Sequence, residues 1–355
     1  MTPRMRAVLE ESVLPPVVAL VVALVAGDLL IVTYGQAPGD VWRTLIEGTW
    51  GNSYGFGQVV YKATTLTCTG LAVAIGLRAG LFNIGAEGQL AAGGFGAGLT
   101  GLLLPTGTPL VIALPLCLAA ALAAGGAVGG VAGVLRARFG AHEVIVTIMM
   151  NFIVLALLNY LVSAKLNVPE TLHTPEVRAG AVPRLSSTFG AFHGSAANWT
   201  VAIVLLAAAA TWFILFRTRA GYELRAVGEQ PDAAEYAGIR AGRVWFSALT
   251  ASGALAGLGG INFVLGYKHY YEDGFTGGAG FLGIAVALVG RNNPAGVVLA
   301  ALFFATLSQG GLAINAMVPK QMVEVLQGVV IIAVAAAVPE VRRVLRQGLS
   351  RRKAA

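Results

Sequence analysis

The residues best placed to do chemistry stand in RAGLFNIGAEGQLAAGGFGAG, Arg78 to Gly98, where an arginine, Asn83, Glu87 and Gln89 precede a run of glycine and alanine. The setting is strongly apolar, so a carboxylate there costs roughly 3 kcal/mol at a span centre unless it faces water or a partner. Glu87 is therefore expected near an interface or against protein, with Arg78 as a candidate partner. Asn83 and Gln89 can satisfy backbone groups freed where glycine interrupts a helix. Two readings stay open: the side chains repair an interrupted backbone, or they line or gate a path. Asn151 and Asn159, with Thr64, Thr65, Thr67 and Thr69, are further polar residues in apolar surroundings. Threonine hydroxyls there often bond back to their own helix.

A second polar stretch, RTRAGYELRAVGEQPDAAEYAGIRAGR from Arg217 to Arg243, carries helix punctuation. Pro231 opens a helix, Asp232 and Glu235 fall in its early turns, and Gly238 ends it. Ala233, Ala234 and Tyr236 are available to dock into a groove of another protein. Catalytic patterns are absent. There is no G-x-x-x-x-G-K-[ST] loop for ATP, no His/Cys cluster with metal-ligand spacing and no G-x-S-x-G elbow. The expectation is a chain that is not an enzyme and binds no cofactor of its own.

The elements that must position these residues are membrane spans. Of 355 residues 56% are hydrophobic and 12% charged, with mean hydropathy +0.75, whereas soluble domains carry about a quarter of their residues as charges. Apolar stretches predict an all-α polytopic protein with about ten spans: 14–34, 59–77, 84–104, 109–134, 144–163, 200–216, 244–265, 279–290, 296–314 and 322–338. The segment 279–290 is short enough to be a broken element. Seventeen Lys/Arg fall on the side of the termini and six opposite, so both termini are expected in the cytoplasm. The net charge of +7 thus reports topology, not a nucleic-acid partner.

One membrane domain covers 1–355, with an inner loop at 217–243 and an outer loop at 164–198. Cys68 and Cys117 both fall in spans and imply no disulfide framework. Gly125, Gly129 and Gly133 share a helical face, and Gly253 with Gly257 repeats the spacing, which favours tight helix packing. Ten spans split five and five, and GLFNIGAEGQLAAGGF from Gly80 is echoed by GFTGGAGFLGIAVALVG from Gly274, consistent with an inverted repeat. An ion-coupled carrier shares that plan, but its buried charges are represented here only by Asp28 and Lys62.

GLFNIGAEGQ at Gly80–Gln89, LRAVGEQPDAAEYAGI at Leu224–Ile239 and GFLGIAVALVGRNNPAG at Gly280–Gly296 resemble permease subunits of bacterial ABC importers. The branch includes ribose, branched-chain amino acid and nucleoside permeases, and the resemblance runs from about residue 15 to 340. It is closest to the longer permease of the nucleoside-type, basic membrane lipoprotein-linked systems, in which glutamate follows Asn-Ile-Gly-Ala. The resemblance implies a multi-pass protein of the bacterial plasma (inner) membrane that imports nucleosides, or alternatively a pentose or another small polar solute. It also implies ATP-binding subunits that carry the ATP, a second related permease and an external substrate-binding lipoprotein. The polar residues Asn83, Glu87, Gln89, Asn151 and Asn159 are the candidates for the translocation path or gate. By the resemblance the loop helix at Pro231–Gly238 is the coupling helix, with Glu229, Asp232, Glu235 and Tyr236 as candidate ATPase contacts. Asp232, Ala233, Ala234 and Gly238 keep the spacing of the importer E-A-A-x-x-x-G loop, with Asp for Glu, while its usual Ile-x-Leu-Pro ending is absent.

Overall fold

The structure, a computed structural model, describes residues 14–333. Among the described residues it is all helical, and the only β pairings are two isolated bridges, His173–Glu272 and Arg184–Asn198. The basic termini and the last residues of the predicted span 322–338 lie outside the described residues.

The chain divides into two compact units, Met1–Asn52 with Thr306–Ala355, and Ser53–Ala305. In the described part of the first, α1 (Leu14–Thr33) is followed by α2 (Pro38–Thr49). Its sequence PGDVWRTLIEGT has Pro at the first helical position, Asp40 in the first turn and buried Val41, Leu45 and Thr49 on one face. No element was expected between the predicted spans 14–34 and 59–77; the amphipathic repeat makes this helix there. The Trp42 indole N–H donates to Asp28 Oδ1 at 2.7 Å, which occupies one of the two candidate ion-coupling residues.

The second unit holds the site. Its elements are α3 (Ser53–Arg78), α4 (Ala86–Leu103), α5 (Leu110–Phe139), α6 (Glu143–Leu161), α7 (Thr200–Arg217), α8 (Arg219–Glu229), α9 (Pro231–Tyr236), α10 (Ala241–Gly259), the single turn α11 (Ile261–Val264), α12 (Ala279–Val289) and the start of α13 (Pro294–Ala313). Among the described residues, six helices are long and apolar enough to cross a membrane: Ser53–Arg78, Leu110–Phe139, Glu143–Leu166, Thr200–Arg217, Ala241–Val264 and Pro294–Ala313. α4 and α12 are not among them. α4 dilutes its apolar residues with glycine and threonine, and α12 has 11 residues, about 16 Å of a hydrocarbon core of about 30 Å.

α10 is the central helix and packs against α3, α4 and α5. The small-residue face explains how. A Cβ on Gly257 would lie 2.6 Å from Ala121 O, 3.0 Å from Gly125 Cα and 3.2 Å from Gly93 Cα, so the backbones of α4, α5 and α10 meet where no side chain fits. Opposite, the 164–198 segment is pinned by backbone bonds, Val182 N–H to Leu265 O at 2.8 Å and Val177 N–H to His269 O at 2.7 Å among them.

Candidate functional site: two helix N-termini joined by one carboxylate

After α3 the chain turns at Gly80, whose φ of +72° suits a residue without a side chain, and Leu81 N–H closes the turn on Gly76 O at 2.9 Å. From there to Gly85 it is not helical. Unpaired backbone is untenable inside a membrane protein unless protein groups satisfy it, and the nearby polar side chains do so. Asn83 Oδ1 accepts from Gly85 N–H at 2.9 Å, and Asn83 Nδ2 donates to Gln89 Oε1 at 2.8 Å and Ser252 Oγ at 2.7 Å. Ser252 Oγ in turn donates to Ala72 O in α3 at 2.5 Å. Asn151 on α6 grips the segment twice, donating to Ile84 O at 2.9 Å and accepting from Gly88 N–H at 2.9 Å. Ile84 N–H finds Thr147 Oγ1 at 3.2 Å.

Glu87 sits in the first turn of α4 and reaches another helix. Its Oε1 accepts from Gly278 N–H at 2.9 Å and its Oε2 from Gly280 N–H at 2.7 Å. These are the cap and an early N–H of α12, so one carboxylate lies at the positive ends of two helices. Gly278, the cap of α12, has φ +82° and no side chain of its own to cap with. A Cβ on Gly280 would collide with Glu87 N and Cα, so the two N-termini touch backbone to backbone. Thr69 Oγ1 donates to Ala279 O at 3.0 Å, and Arg78 Nε donates to Asn292 O at 3.0 Å. With 1.5 Å per residue along α3, α12 starts about 13 Å above the Arg78 end. Arg78 is held there, its guanidinium 5.6 Å from the Phe216 ring, and is not the partner of Glu87.

Of the residues expected on a path, Asn83, Glu87, Gln89 and Asn151 converge here, with exposures of 0, 5, 1 and 3%. At that burial they meet protein, not an open channel, within this chain. Asn159 is elsewhere, exposed at the far end of α6, where its Nδ2 donates to Asp273 Oδ2 at 2.6 Å. Thr64 and Thr67 bond back to Val60 O and Ala63 O in their own helix. Thr147, Ser252 and the Gly278–Gly280 amides escaped the sequence reading. A single hydroxyl in an apolar helix gives no signal, and backbone donors give none at all.

A comparable network stands where α10 ends. Asn262 Nδ2 donates to Tyr61 O at 2.8 Å and Thr65 Oγ1 at 2.9 Å, and Asn262 Oδ1 accepts from Asn198 Nδ2 at 3.0 Å and Thr200 Oγ1 at 2.8 Å. It serves the break between α10 and α12 as the Asn83 network serves the break between α3 and α4.

The inner loop folds as two helices. Thr218 caps α8 by accepting from Gly221 N–H at 3.2 Å, and Gly238, at φ +83°, closes α9. Ala234 is buried with Val227, Ala241 and Val244. Glu229, Asp232 and Glu235 are exposed, and Tyr236 is 95% exposed. α8 reaches the interruption directly: a Cβ on Gly228 would collide with Arg78 O and lie 3.0 Å from Gly80 N.

None of these groups performs bond chemistry. Together they hold broken helices inside an apolar bundle of the kind that crosses a membrane. The chain belongs to the family described as the permease component of branched-chain amino acid transport systems, whose model matches residues 55–335. It is a membrane permease subunit of an ABC importer, a transport component and not an enzyme, in a family that works with ATP-binding subunits and a substrate-binding partner. It is 38% identical to the guanosine ABC transporter permease protein NupP of Bacillus subtilis, covering 92% of this chain and 93% of that protein. Identity is 32% to the nucleoside ABC transporter permease protein NupB of Lactococcus lactis, over 92% and 91% of the two chains. It is 33% to the glucose ABC transporter permease protein TsgB13 of Haloferax volcanii, over 89% and 85%. No solved structure matches the chain.

Proposed function

We propose that this permease imports nucleosides, paired with a second related permease, two ATP-binding subunits that hold the ATP, and an external lipoprotein that delivers substrate. The observation that carries the substrate class is near full-length similarity to the guanosine and nucleoside permeases. Similarity to a glucose permease keeps a monosaccharide as the second reading.

In this reading ten helices cross the membrane in two inverted sets of five, both termini are cytoplasmic, and the Arg78 end of α3 faces the cytoplasm. The two broken helices support the repeat: a break separates α3 from α4 and another separates α10 from α12, and α4 and α12 meet N-terminus to N-terminus. Exposed Tyr236, flanked by Asp232, Glu235 and Glu229, supports α9 as the element that docks in the ATPase. Motion there passes through Gly228 to the chain at Gly80 and on to the joined N-termini. Asn83, Glu87, Gln89 and Asn151 act on the path by fixing these half-helices, and Asn159 with Asp273 stands at the outer end.

The test is ATP-dependent uptake of radiolabelled guanosine by the reconstituted complex, with unlabelled adenosine and glucose as competitors. Competition by adenosine alone is expected. Glucose transport without guanosine transport would replace the nucleoside reading with the monosaccharide one.

A further inference from the structure

A concavity of the second unit lies beside the 217–243 loop, away from the helix breaks. It has a volume of about 880 Å³ and is lined by Val134, Ala137 and Arg138 of α5, by Glu235 and Gly238–Arg240, and by Ala241–Arg243 and Phe246 at the start of α10. Its two walls differ in chemistry. Val134 and Phe246 are exposed apolar residues, 36% and 41% accessible, within helices apolar enough to cross a bilayer. Arg138, Arg240 and Arg243 are exposed at the ends of those same helices. Among the described residues no carboxylate forms an ion pair with any of the three, although Glu235 lines the same cavity. Arg136, by contrast, is engaged, 3.6 Å from Glu143 and 4.9 Å from the Trp245 ring.

We propose that this cavity binds an anionic phospholipid, its phosphate held by Arg138, Arg240 and Arg243 and its acyl chain lying against Val134, Ala137 and Phe246. Guanidinium forks match phosphate oxygens, and the apolar wall continues from them into the span, where only a tailed ligand gains from it. A soluble protein partner could meet the arginines but not the span residues Val134 and Phe246. Tyr236 is not part of the cavity wall, so the exposed aromatic and this site are neighbouring and distinct. With Glu235 and Gly238 on its rim, a bound lipid would touch the end of α9 and hold it at the membrane surface.

Purified full-length chain, delipidated in detergent, is titrated with dioleoylphosphatidylglycerol and dioleoylphosphatidylcholine, and bound lipid is counted by native mass spectrometry. Three arginines against one glutamate leave two net positive charges, which predicts about a thirtyfold preference for the glycerol lipid. The variant Arg138→Gln/Arg240→Gln/Arg243→Gln should lose most of that preference while eluting as an unchanged monodisperse peak. The single changes Arg136→Gln and Arg219→Gln, outside the cavity, should keep it. Equal binding of the two lipids overturns the proposal, as does full displacement of the glycerol lipid by millimolar inorganic phosphate, which would make this a free-anion site. Unchanged lipid preference in the triple variant, with loss of ATPase binding instead, also overturns it and assigns the arginines to the protein partner. The binding measurement needs no transport, so its failure is separable from failure of the nucleoside reading.

Discussion

Glu87 offers the sharpest perturbation, because the structure fixes what its carboxylate touches. It accepts two backbone N–H groups of α12 at 2.9 and 2.7 Å and is 5% exposed. Glu87→Ala strands both donors in an environment without water, at about 1–3 kcal/mol each, or about 2–6 kcal/mol together. Glu87→Gln keeps one acceptor oxygen but turns an NH₂ toward the second N–H, so about 1–3 kcal/mol is lost, with up to about 1 kcal/mol more from removing charge at two helix N-termini. Glu87→Asp is one methylene too short to hold both bonds. The loss should fall first on α12, whose 11 residues are below the length at which a helix stands alone.

The assay is hydrogen exchange across 278–282 in nanodiscs, read beside the melting temperature and ATP-driven uptake. Exchange should rise in the order wild type, Gln, Ala, and stability should fall in the same order, with uptake following. Unchanged exchange and melting in Glu87→Ala, together with lost uptake, would refute the capping argument and make the carboxylate a group that meets substrate. Unchanged behaviour in all three readouts would remove Glu87 from the mechanism.

Three further outcomes are expected. Gly228→Val places a branched side chain against Arg78 O, and should impair uptake or assembly more than Gly190→Val, where nothing lies within 4 Å, as measured by uptake per mole of purified complex. Tyr236→Ala should weaken association with the ATPase by about 2 kcal/mol, roughly thirtyfold, while Asp232→Ala and Glu235→Ala change it by less than about 1 kcal/mol; surface plasmon resonance on the purified subunits checks the ranking. His269, outside the spans, has its pKa lowered by burial, which outweighs the raising effect of a Leu265 backbone hydrogen bond; Arg184 lowers it further and Glu176 raises it slightly. Because the folded form disfavours the proton, its contribution is present above the ordinary histidine value near 6.5 and is lost as pH falls through the lowered folded value. The acid side of the melting profile should therefore flatten in His269→Gln.

Legibility in the sequence followed the range of the forces involved. Apolar runs show the bilayer solvent directly, so the helices at 53–78, 110–139, 143–161 and 200–217 were readable as spans. The Asn83, Glu87, Gln89 and Asn151 cluster was readable as polar residues in need of partners, since burial without hydrogen bonds is untenable. What those partners were was not readable. Glu87 bonds to N–H groups 191 and 193 residues away, and backbone donors carry no residue signature; the nearby Arg78 was the obvious candidate for that reason and the wrong one. α2 was missed because a 12-residue amphipathic repeat between glycines looks like a loop at this composition. Tyr236 was readable as the large side chain of α9, whereas the contact of Gly228 with Gly80 was not, because a glycine that admits another backbone and a glycine that merely turns are spelled alike.

In the coupling role proposed for α9, the same contacts would let so short a helix act at a distance. A coupling element must bias something with two arrangements, and a packed helix interior resists being that thing. The breaks here are different in kind. Between Gly80 and Gly85 the chain has no helical ladder of its own and is held by Asn83, Asn151 and Thr147, each of which can re-form its bonds after a small shift. α8 meets this segment at Gly228, where there is no side chain to absorb displacement, so movement of α8 reaches Gly80 as movement of backbone. Beyond it stands Glu87, bonded to the first amides of α12. α4 and α12 therefore cannot tilt independently while that carboxylate holds both, and in the proposed coupling a push at α9 would arrive on two half-helices moved as one.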